Sequence, residues 1–314
     1  MTAPGNHSRP TGVLVMAYGT PAGPDQVEAY YTHVRGGRPP SPELLADLQA
    51  RYRAIGGSSP LAERTQAQAR ALGLALDQAR PGAFRVAVGT KHAPPFIEDG
   101  VAALADAGVG RTVALVLAPH YSALSVGGYL ERAREAARRH RIDLIEVRSW
   151  HLAPGLLEAL SGRLSVAIEG LAPAVRQHAE VLVTAHSLPT RILDLDDPYP
   201  DQLRATAEAV CALAGVRRWR LAWQSAGRTP EPWLGPDVVE VIRRLPEEGA
   251  AAVVVCPAGF TSDHLEILYD LDIEARRAAE EAGLTLVRTA SLNDDPTFVA
   301  TLAQVVIDAT DGVR

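Results

Sequence analysis

The chain has 314 residues, which is long enough for two domains with their own apolar cores. Its 47% hydrophobic and 22% charged residues are typical of a globular protein, and a net charge of −6 gives no support for nucleic-acid binding. Residues 1–12 are polar and lack the apolar core of a signal peptide, and no apolar run reaches the length of a membrane span. We therefore expect a cytoplasmic protein without a transmembrane anchor.

Two cysteines, Cys211 and Cys256, lie far apart in the sequence, each among apolar residues. They are typical of reduced, buried thiols, and they cannot supply the usual four ligands of an iron–sulfur cluster. The glycine-rich strings of dinucleotide-binding and P-loop proteins are both absent from the sequence. We therefore expect no iron–sulfur cluster, and the common nucleotide-binding functions lose their main support.

Strand and helix patterns alternate along the chain. Strands are predicted at residues 12–18, 84–90, 112–118, 143–149, 180–186, 218–224, 250–256 and 284–289. Helices are predicted at residues 41–55, 65–78, 200–213 and 236–247, among others. This alternation predicts an α/β fold of two Rossmann-like domains, each a four-stranded parallel sheet flanked by helices. We place the domains at residues 8–150 and 151–290, with a C-terminal helix at about 291–314 packing back on the first.

The predicted strands end in residues that carry chemistry. The first strand ends at Tyr18, the second runs into Lys91 and His92, and the fifth ends at His186. A single histidine at a strand end is more often a hydrogen-bonded structural residue than a ligand. Because ligands of open parallel sheets bind beyond the carboxyl ends of the strands, the whole set indicates a cleft between the two domains.

An acidic row follows the seventh strand. At 100° per residue, Asp263, Glu266, Asp270 and Glu274 fall on one face of a helix predicted to begin near Asp263, with His264 beside them. In one interpretation Asp263 caps the helix, Glu266 completes a capping box, and the other acids are solvated. In the other, the carboxylates form a path for a divalent cation.

Nine strings match a known family in order and over nearly the whole chain. They are VLVMAYGTP (13–21), YYTHVRGGRPP (30–40), RYRAIGGSSPL (51–61), KHAPPFIED (91–99), APHYSALSVGGY (118–129), TAHSLP (184–189), DPYPDQ (197–202), WQSAGRTPEPWLGP (223–236) and PAGFTSDHLEILYD (257–270). The chain resembles the ferrochelatases, most closely the coproporphyrin ferrochelatases of Gram-positive bacteria. The resemblance implies the chelatase fold and an enzyme that inserts Fe²⁺ into coproporphyrin III, giving Fe-coproporphyrin III (coprohaem) in haem biosynthesis.

The resemblance also implies roles for individual residues. His186 and Glu266 would face each other as the catalytic and metal-binding pair, with Tyr18 on the opposite face of the porphyrin. Fe²⁺ would be a substrate, with no permanently bound cofactor. A tyrosine at position 18 separates this chain from the protoporphyrin-using relatives, which carry an apolar residue there. The alternatives are a protoporphyrin IX ferrochelatase, a cobalt or nickel chelatase of the same fold, and a haem or porphyrin carrier without catalysis.

The chemistry of the pair agrees with these roles. Metallation requires two pyrrole N–H protons to leave, and a neutral imidazole can accept a proton or ligate the metal. The ordinary histidine pKa of about 6.5 predicts a mostly neutral His186 at cytoplasmic pH. Whether His186 acts first as base or as ligand stays open. Imidazole and carboxylate suit Zn²⁺, Co²⁺ and Cu²⁺ as well as Fe²⁺, so the pair does not select the metal by itself.

Other matched positions concern the porphyrin's propionates, which call for guanidinium groups and hydroxyls. The residues at those positions are Arg35, Arg51, Tyr52, Ser59 and Tyr129. Arg51 has an alternative as a partner of Asp47, four residues earlier. Lys91 is a further candidate for lining the cleft. For His92, a position on the cleft wall and a purely structural role are equally favoured.

The acidic row suggests an additional site. Asp270 and Glu274 would form an outer metal path to Glu266, where their hard oxygens suit a hydrated Mg²⁺. The competing interpretation keeps both as solvated helix residues. The expected partners are the porphyrin and Fe²⁺, with transient contacts to neighbouring haem-pathway enzymes as a further expectation, and no nucleic acid.

Overall fold

The structure is a computed structural model that describes residues 9–312. Residues 1–8, on which the expectation of no signal peptide and the predicted start of the first domain partly rest, lie outside this range. The same holds for residues 313 and 314 at the end of the predicted C-terminal helix. Within the described range, no helix combines the length and the apolar character needed to cross a bilayer.

The first sheet has four parallel strands in the order β2–β1–β3–β4. They are β1 Thr11–Ala17, β2 Phe84–Thr90, β3 Arg111–Val116 and β4 Asp143–Val147. β1 lies in the centre and is buried along all but its first residue. Because the chain leaves β1 for β2 on one side and reaches β3 on the other, the carboxyl ends of β1 and β3 flank a point where ligands bind in such sheets.

The second sheet repeats the same arrangement, in the order β6–β5–β7–β8. Its strands are β5 Ala179–His186, β6 Trp219–Gln224, β7 Ala252–Cys256 and β8 Thr285–Arg288. The central strand β5 pairs in parallel with β6 and with β7, so the ends of β5 and β7 are neighbours. The predicted fold class is confirmed: two four-stranded parallel sheets, each flanked by helices.

Helices connect the strands. They are α1 Val27–Val34, α2 Pro42–Ala54, α3 Leu61–Ala79, α4 Ile97–Asp106, α5 Gly128–His140, α6 Pro154–Glu169, α7 Pro173–Arg176, α8 Tyr199–Leu213, α9 Val238–Arg244, α10 Arg276–Glu281 and α11 Pro296–Asp311. Short 3₁₀ turns occupy Pro24–Gln26, Thr190–Leu195 and Leu245–Glu248, and π-helical segments occupy Ala123–Gly127 and Ile267–Ala275. The helix predicted at 236–247 is therefore α9 followed by a 3₁₀ turn that contains Pro246.

The C-terminal helix α11 packs against α3 and against α6. Phe298, at its start, is fully buried and lies 5.9 Å from the ring centre of Trp150. Apolar side chains from both sheets join in one continuous core around these residues. The domain boundary near residue 150 stays a prediction, because this shared core has no break at that position.

The acidic helix differs from its predicted form. It begins at Leu265 rather than near Asp263, and from Ile267 to Ala275 it is a π-helix before it continues as α10. Asp263 precedes the helix, and its carboxylate accepts hydrogen bonds from Ser291 and Asn293. Asp263 therefore neither caps the helix nor belongs to the acidic row. π-helical turns widen the helix and are frequent at functional sites.

Candidate active site

A cavity of about 620 Å³ lies between the carboxyl edges of the two sheets. This volume falls within the range of roughly 300–1,000 Å³ that is typical of ligand pockets. The predicted site residues on its wall are Tyr18, Tyr52, Ser59, Lys91, His92, Tyr129, His186 and Glu266. Four other predicted site residues lie outside the wall: Arg35, Arg51, Asp270 and Glu274.

His186 and Glu266 meet because their strands are neighbours. His186 is the last residue of β5, and the turn after β7 crosses close to it, with the Gly259 amide donating to the Thr184 carbonyl at 3.0 Å. A Cβ atom at Gly259 would lie 2.5 Å from that of Ala185, so only glycine allows this approach. The helix after that turn brings the Glu266 carboxylate to 3.5 Å from His186 Nε2.

A second imidazole flanks the same carboxylate. His264 Nε2 lies 3.5 Å from the other Glu266 oxygen, while His264 Nδ1 donates to the Ser262 carbonyl at 2.9 Å. The His264 ring also packs against Phe260, with centroids 5.1 Å apart. Since His186 Nδ1 likewise donates to a backbone carbonyl, that of Ser187, both rings are held with Nε2 towards Glu266. Glu266 is thus fixed between two histidines.

The pair carries a charge pattern that differs from the expected one. Burial lowers the pKa of His186, but the facing Glu266 carboxylate outweighs it and raises this pKa to about 9. Burial raises the pKa of Glu266, but His186 and His264 outweigh it and hold this pKa well below its usual range. The direction of these shifts favours an imidazolium opposite a carboxylate in the ligand-free protein, in contrast to the neutral His186 expected from the ordinary pKa.

Tyr18 lies at the end of β1, next to His92. The two ring centroids are 4.5 Å apart and the rings are tilted by 53°. The turn that presents Tyr18 contains Gly19 at a φ of +89°, and a Cβ there would lie 2.7 Å from the Thr90 hydroxyl. His33 holds His92 from behind, with Nδ1 atoms 3.1 Å apart. His92 thus lies on the cavity wall and packs on Tyr18, and its part in the site stays a prediction.

The hydroxyls expected to bind propionates lie along the wall of the first half. Tyr52 is buried, and its hydroxyl lies 3.2 Å from that of Thr20. Lys91 Nζ lies over the ring of Tyr129, 4.8 Å from its centroid. Burial, with a smaller contribution from Arg132, lowers the pKa of Lys91. This side of the cavity therefore combines hydroxyl groups with one partly desolvated cation.

The two arginines expected at the propionates lie further out. Arg35 does not line the cavity, but its guanidinium lies over the ring of the wall residue Tyr31, 5.7 Å from the centroid. Arg51 points to the acidic helix instead. Its guanidinium is 3.1 Å from an Asp270 oxygen, 3.1 Å from Asp47 and 3.9 Å from Glu274. The alternative pairing of Arg51 with Asp47 is thus present, together with a bridge from α2 to the π-helix.

Asp270 lies deep in this bridge, with 6% of its surface exposed. Burial raises its pKa to about 7, the charge of Glu266 adds to the increase, and the Ser225 hydroxyl and Arg51 oppose it. The Ser225 hydroxyl donates to Asp270 at 2.5 Å from a left-handed backbone position, φ +61°. Among the described residues, no three His, Cys, Asp or Glu side chains are arranged to coordinate one metal ion together, the group of His186, His264 and Glu266 included.

A sequence profile of the ferrochelatase family matches residues 10–310. The chain belongs to the ferrochelatase family. It is 46% identical to the coproporphyrin III ferrochelatase of Anoxybacillus flavithermus over 95% of each chain. It is also 46% identical to the coproporphyrin III ferrochelatase of Geobacillus thermodenitrificans, over 94% of this chain and 95% of the relative. The predicted family and the predicted enzyme class, a metal-inserting lyase, are confirmed.

A solved structure agrees with the architecture. The sirohydrochlorin chelatase SirB from Bacillus subtilis subspecies spizizenii, in complex with cobalt, aligns over 96% of both chains with a TM-score of 0.57. Its sequence identity to this family member is 12%, so the likeness concerns the fold alone.

Two wall residues have no role in the sequence-based prediction. Tyr199, the first residue of α8, donates from its hydroxyl to the His186 carbonyl at 2.9 Å and so holds the end of β5 in place. Arg191 lies on the wall five positions after His186. Lys91 directly follows β2, whereas Arg191 follows the end of β5 by five residues and so gives a weaker signal of the same kind. Tyr199 gives no such signal, because its contact depends on how α8 packs against β5.

The charged pair predicts a pH dependence of folding in this ferrochelatase. With a folded-state pKa of about 9 against an ordinary 6.5, His186 contributes stability that is complete below pH 6.5 and lost as the pH rises through 9. The Glu266 contribution is already complete above its ordinary pKa of 4.5, so it is constant across this window. Glu266→Gln removes the carboxylate that keeps His186 charged.

We therefore expect the metal-free wild-type Tm to fall relative to that of Glu266→Gln between pH 6.5 and 9. Differential scanning fluorimetry across this range, in chelator-treated buffer, measures both curves. His140→Ala, on the exposed end of α5, serves as the control and should parallel the wild type. Parallel curves for wild type and Glu266→Gln would mean that His186 is neutral in the folded protein.

Proposed function

We propose that the chain inserts Fe²⁺ into coproporphyrin III, with His186 and Glu266 on the metal side and Tyr18 on the other face of the ring. The observation that carries this proposal is the His186–Glu266 pair at 3.5 Å on the wall of a cavity of about 620 Å³. The relatives at 46% identity that are named coproporphyrin III ferrochelatases support the choice of porphyrin. Fe²⁺ is a substrate of this reaction.

The charge of the pair suggests how the proton inventory closes. Insertion forms four N–Fe contacts and releases two pyrrole protons. In the resting state the Glu266 carboxylate raises the pKa of His186 and so favours its protonated form. An incoming Fe²⁺ competes with the imidazolium for the Glu266 carboxylate, so the pKa of His186 falls and its proton leaves to solvent. The neutral Nε2 is then free to accept one pyrrole proton or to ligate the metal, and each pyrrole proton that His186 does not take leaves to solvent.

The porphyrin carboxylates would meet the part of the cavity wall that belongs to the first sheet and its helices. Tyr52, Ser59 and Tyr129 present hydroxyl groups to the porphyrin carboxylates, and Lys91 adds a positive charge beside Tyr129. Arg35 would bind a carboxylate at the rim. Arg51 would do so only after its guanidinium leaves Asp270.

The outer path also depends on Arg51. Asp270 and Glu274 remain our candidates for guiding a divalent cation towards Glu266. As arranged, the Arg51 guanidinium lies between their oxygens, so the residues present do not fit a Mg²⁺ ion at this place while Arg51 pairs with them. We assign no step to Mg²⁺. A cytoplasmic location, the lack of an iron–sulfur cluster and transient contact with neighbouring haem-pathway enzymes complete the proposal.

The test is an anaerobic assay with Fe²⁺ and either coproporphyrin III or protoporphyrin IX, followed by absorbance. We expect conversion of coproporphyrin III to its iron complex, with a clearly higher kcat/KM than for protoporphyrin IX. Faster use of protoporphyrin IX would replace the proposed substrate. Tight porphyrin binding without metallation would favour a carrier, and turnover with Co²⁺ or Ni²⁺ on a more carboxylated tetrapyrrole, without turnover with Fe²⁺, would favour another chelatase.

A further inference from the structure

A two-stranded clip forms the wall of the cavity beside His186. It consists of residues 188–191 and 231–234, which pair in antiparallel fashion through Pro189 and Trp233. The Leu234 amide donates to the Leu188 carbonyl at 2.8 Å, and the Thr190 amide donates to the Pro232 carbonyl at 2.9 Å. The buried Ser187 hydroxyl donates to the Leu234 carbonyl at 2.8 Å. The clip is thus anchored directly to the residue after His186.

The inner part of the clip is apolar, and its outer end is charged. Leu188, Pro189 and Trp233 line the cavity, and Arg191 and Glu231 line it at the outer end of the clip. Arg191 Nη1 and a Glu231 carboxylate oxygen are 2.6 Å apart. Such a wall matches a flat apolar ring that carries a carboxylate on its edge, because the ring packs on the apolar part and the carboxylate meets the guanidinium.

Arg191 lines the cavity, whereas Arg35 and Arg51, the arginines singled out in the sequence, do not. Within residues 9–312 it is the one arginine that lines the cavity, and the other cationic side chain there that is not a histidine is Lys91. Lys91 follows β2 of the first sheet, whereas Arg191 follows β5 of the second. The hydroxyl groups of Tyr52, Ser59 and Tyr129 also belong to the first half. For a porphyrin with carboxylates on opposite edges, Arg191 is therefore the guanidinium available on the second side.

We propose that Arg191 binds a peripheral carboxylate of the porphyrin and is a specificity-determining residue for porphyrins with a carboxylate on every pyrrole. The inference rests on the proposed function and names a substrate contact in the same site. Coproporphyrin III presents a carboxylate to Arg191 in any orientation of the ring. Protoporphyrin IX has carboxylates on two adjacent pyrroles only, so with those directed to the first half its vinyl edge faces Arg191.

Glu231 also contributes to the proposed contact between Arg191 and the porphyrin carboxylate. It lies beside Arg191 and holds the guanidinium through one oxygen, which leaves other guanidinium N–H groups free for a carboxylate. Without Arg191, the Glu231 charge would face the porphyrin carboxylate directly and repel it. Removing Arg191 should therefore weaken binding by more than one lost contact, and removing Glu231 as well should restore part of the loss.

The test measures equilibrium binding of the metal-free porphyrins by fluorescence, together with KM and kcat for insertion. Arg191→Met keeps much of the apolar stem and removes the charge. We expect it to raise the Kd for coproporphyrin III by about tenfold, with kcat nearly unchanged and the Kd for protoporphyrin IX altered by less than about twofold. Arg191→Met combined with Glu231→Gln should return the Kd for coproporphyrin III to within about threefold of the wild type.

Arg228→Met is the matched control. Arg228 lies in the connection between β6 and α9, three residues before Glu231, is exposed, and pairs with Asp47 rather than lining the cavity. Arg228→Met removes the same charge as Arg191→Met. Because Arg228 does not line the cavity, both porphyrin Kd values should stay unchanged. Equal weakening of both porphyrins by Arg191→Met, or an effect matched by Arg228→Met, would overturn the inference. Because binding is measured without metal, a wild type that fails to insert Fe²⁺ would refute the proposed function without deciding the role of Arg191.

Discussion

His186→Ala should reduce kcat for Fe²⁺ insertion by roughly 10²–10⁴-fold, the loss expected when a positioned acid–base group is removed. The imidazole is the group that faces Glu266 and can take up a pyrrole proton or a metal bond. The porphyrin Kd should stay within a few-fold of the wild type, because the ring and carboxylate contacts belong to other residues. Stopped-flow absorbance at saturating porphyrin, with fluorescence titration for the Kd, separates the two quantities.

Glu266→Gln should also lower kcat severely, for a different reason. The amide keeps the shape of the side chain but removes the negative charge. That charge attracts the cation and raises the pKa of His186 in the resting state. His140→Ala is the control for loss of a histidine at an exposed helix end. Near-normal turnover in Glu266→Gln would return Glu266 to a structural role. Collapse of porphyrin affinity in His186→Ala, with turnover retained, would contradict the role given to His186.

The sequence was sufficient to predict the strand ends that build this site. His186 ends a run of buried residues, and Pro257 and Gly259 end another, so each could be placed at the carboxyl edge of a parallel strand. It was not sufficient to predict that these two strands are neighbours, because the order β6–β5–β7–β8 depends on the packing of the connecting helices. The pairing of His186 with Glu266 came from the family resemblance, and the sheet order gives its physical reason.

The acidic helix does not follow the α-helical period assumed for it in the sequence. A period of 100° per residue places Asp263 in one row with Glu266 and Asp270. The π-helix has a longer repeat, so Glu266, Asp270 and Glu274 follow one another along it while Asp263 bonds to the loop after β8. A π-helix has no dependable sequence signal, and a contact 219 positions apart, such as Arg51 with Asp270, has none either.

The charges of the site could not be read from ordinary pKa values. His186 as an isolated imidazole would be mostly neutral near pH 7. Beside the Glu266 carboxylate the pKa of His186 is raised, which favours the imidazolium. Asp270 changes in the opposite direction, since burial and the nearby Glu266 raise its pKa to about 7. These shifts follow from distances and burial, which exist only in the folded chain.

Arg51 joins two functions that the sequence-based prediction treats separately. The same guanidinium is a candidate for a porphyrin carboxylate and the present partner of Asp270 and Glu274. While it pairs with them, the row carries a resident positive charge that repels an approaching cation. A porphyrin carboxylate that draws Arg51 away would leave the row free. In this view porphyrin binding prepares the metal path, and loss of the two acids should affect both substrates.

The double variant Asp270→Asn with Glu274→Gln tests this directly. If the two acids guide Fe²⁺, the metal KM should rise by on the order of tenfold, since two contacts of up to about 1 kcal/mol each are lost. The porphyrin KM should fall, because Arg51 is released from two of its three carboxylates. The pH adds a further signature. Asp270 is largely protonated below its pKa of about 7, so the wild-type advantage in metal KM should grow as the pH rises past 7.

The matched control is Glu280→Gln with Glu281→Gln, which removes two negative charges from the exposed end of α10 without touching the row. Both double variants are compared at low and high ionic strength, because a general charge effect is screened by salt and a direct contact persists. A path through Asp270 and Glu274 requires the rise in metal KM to remain at high salt in the first variant and to be absent from the control. If the two variants behave alike, or the rise disappears in salt, these acids are structural partners of Arg51 and do not guide the metal.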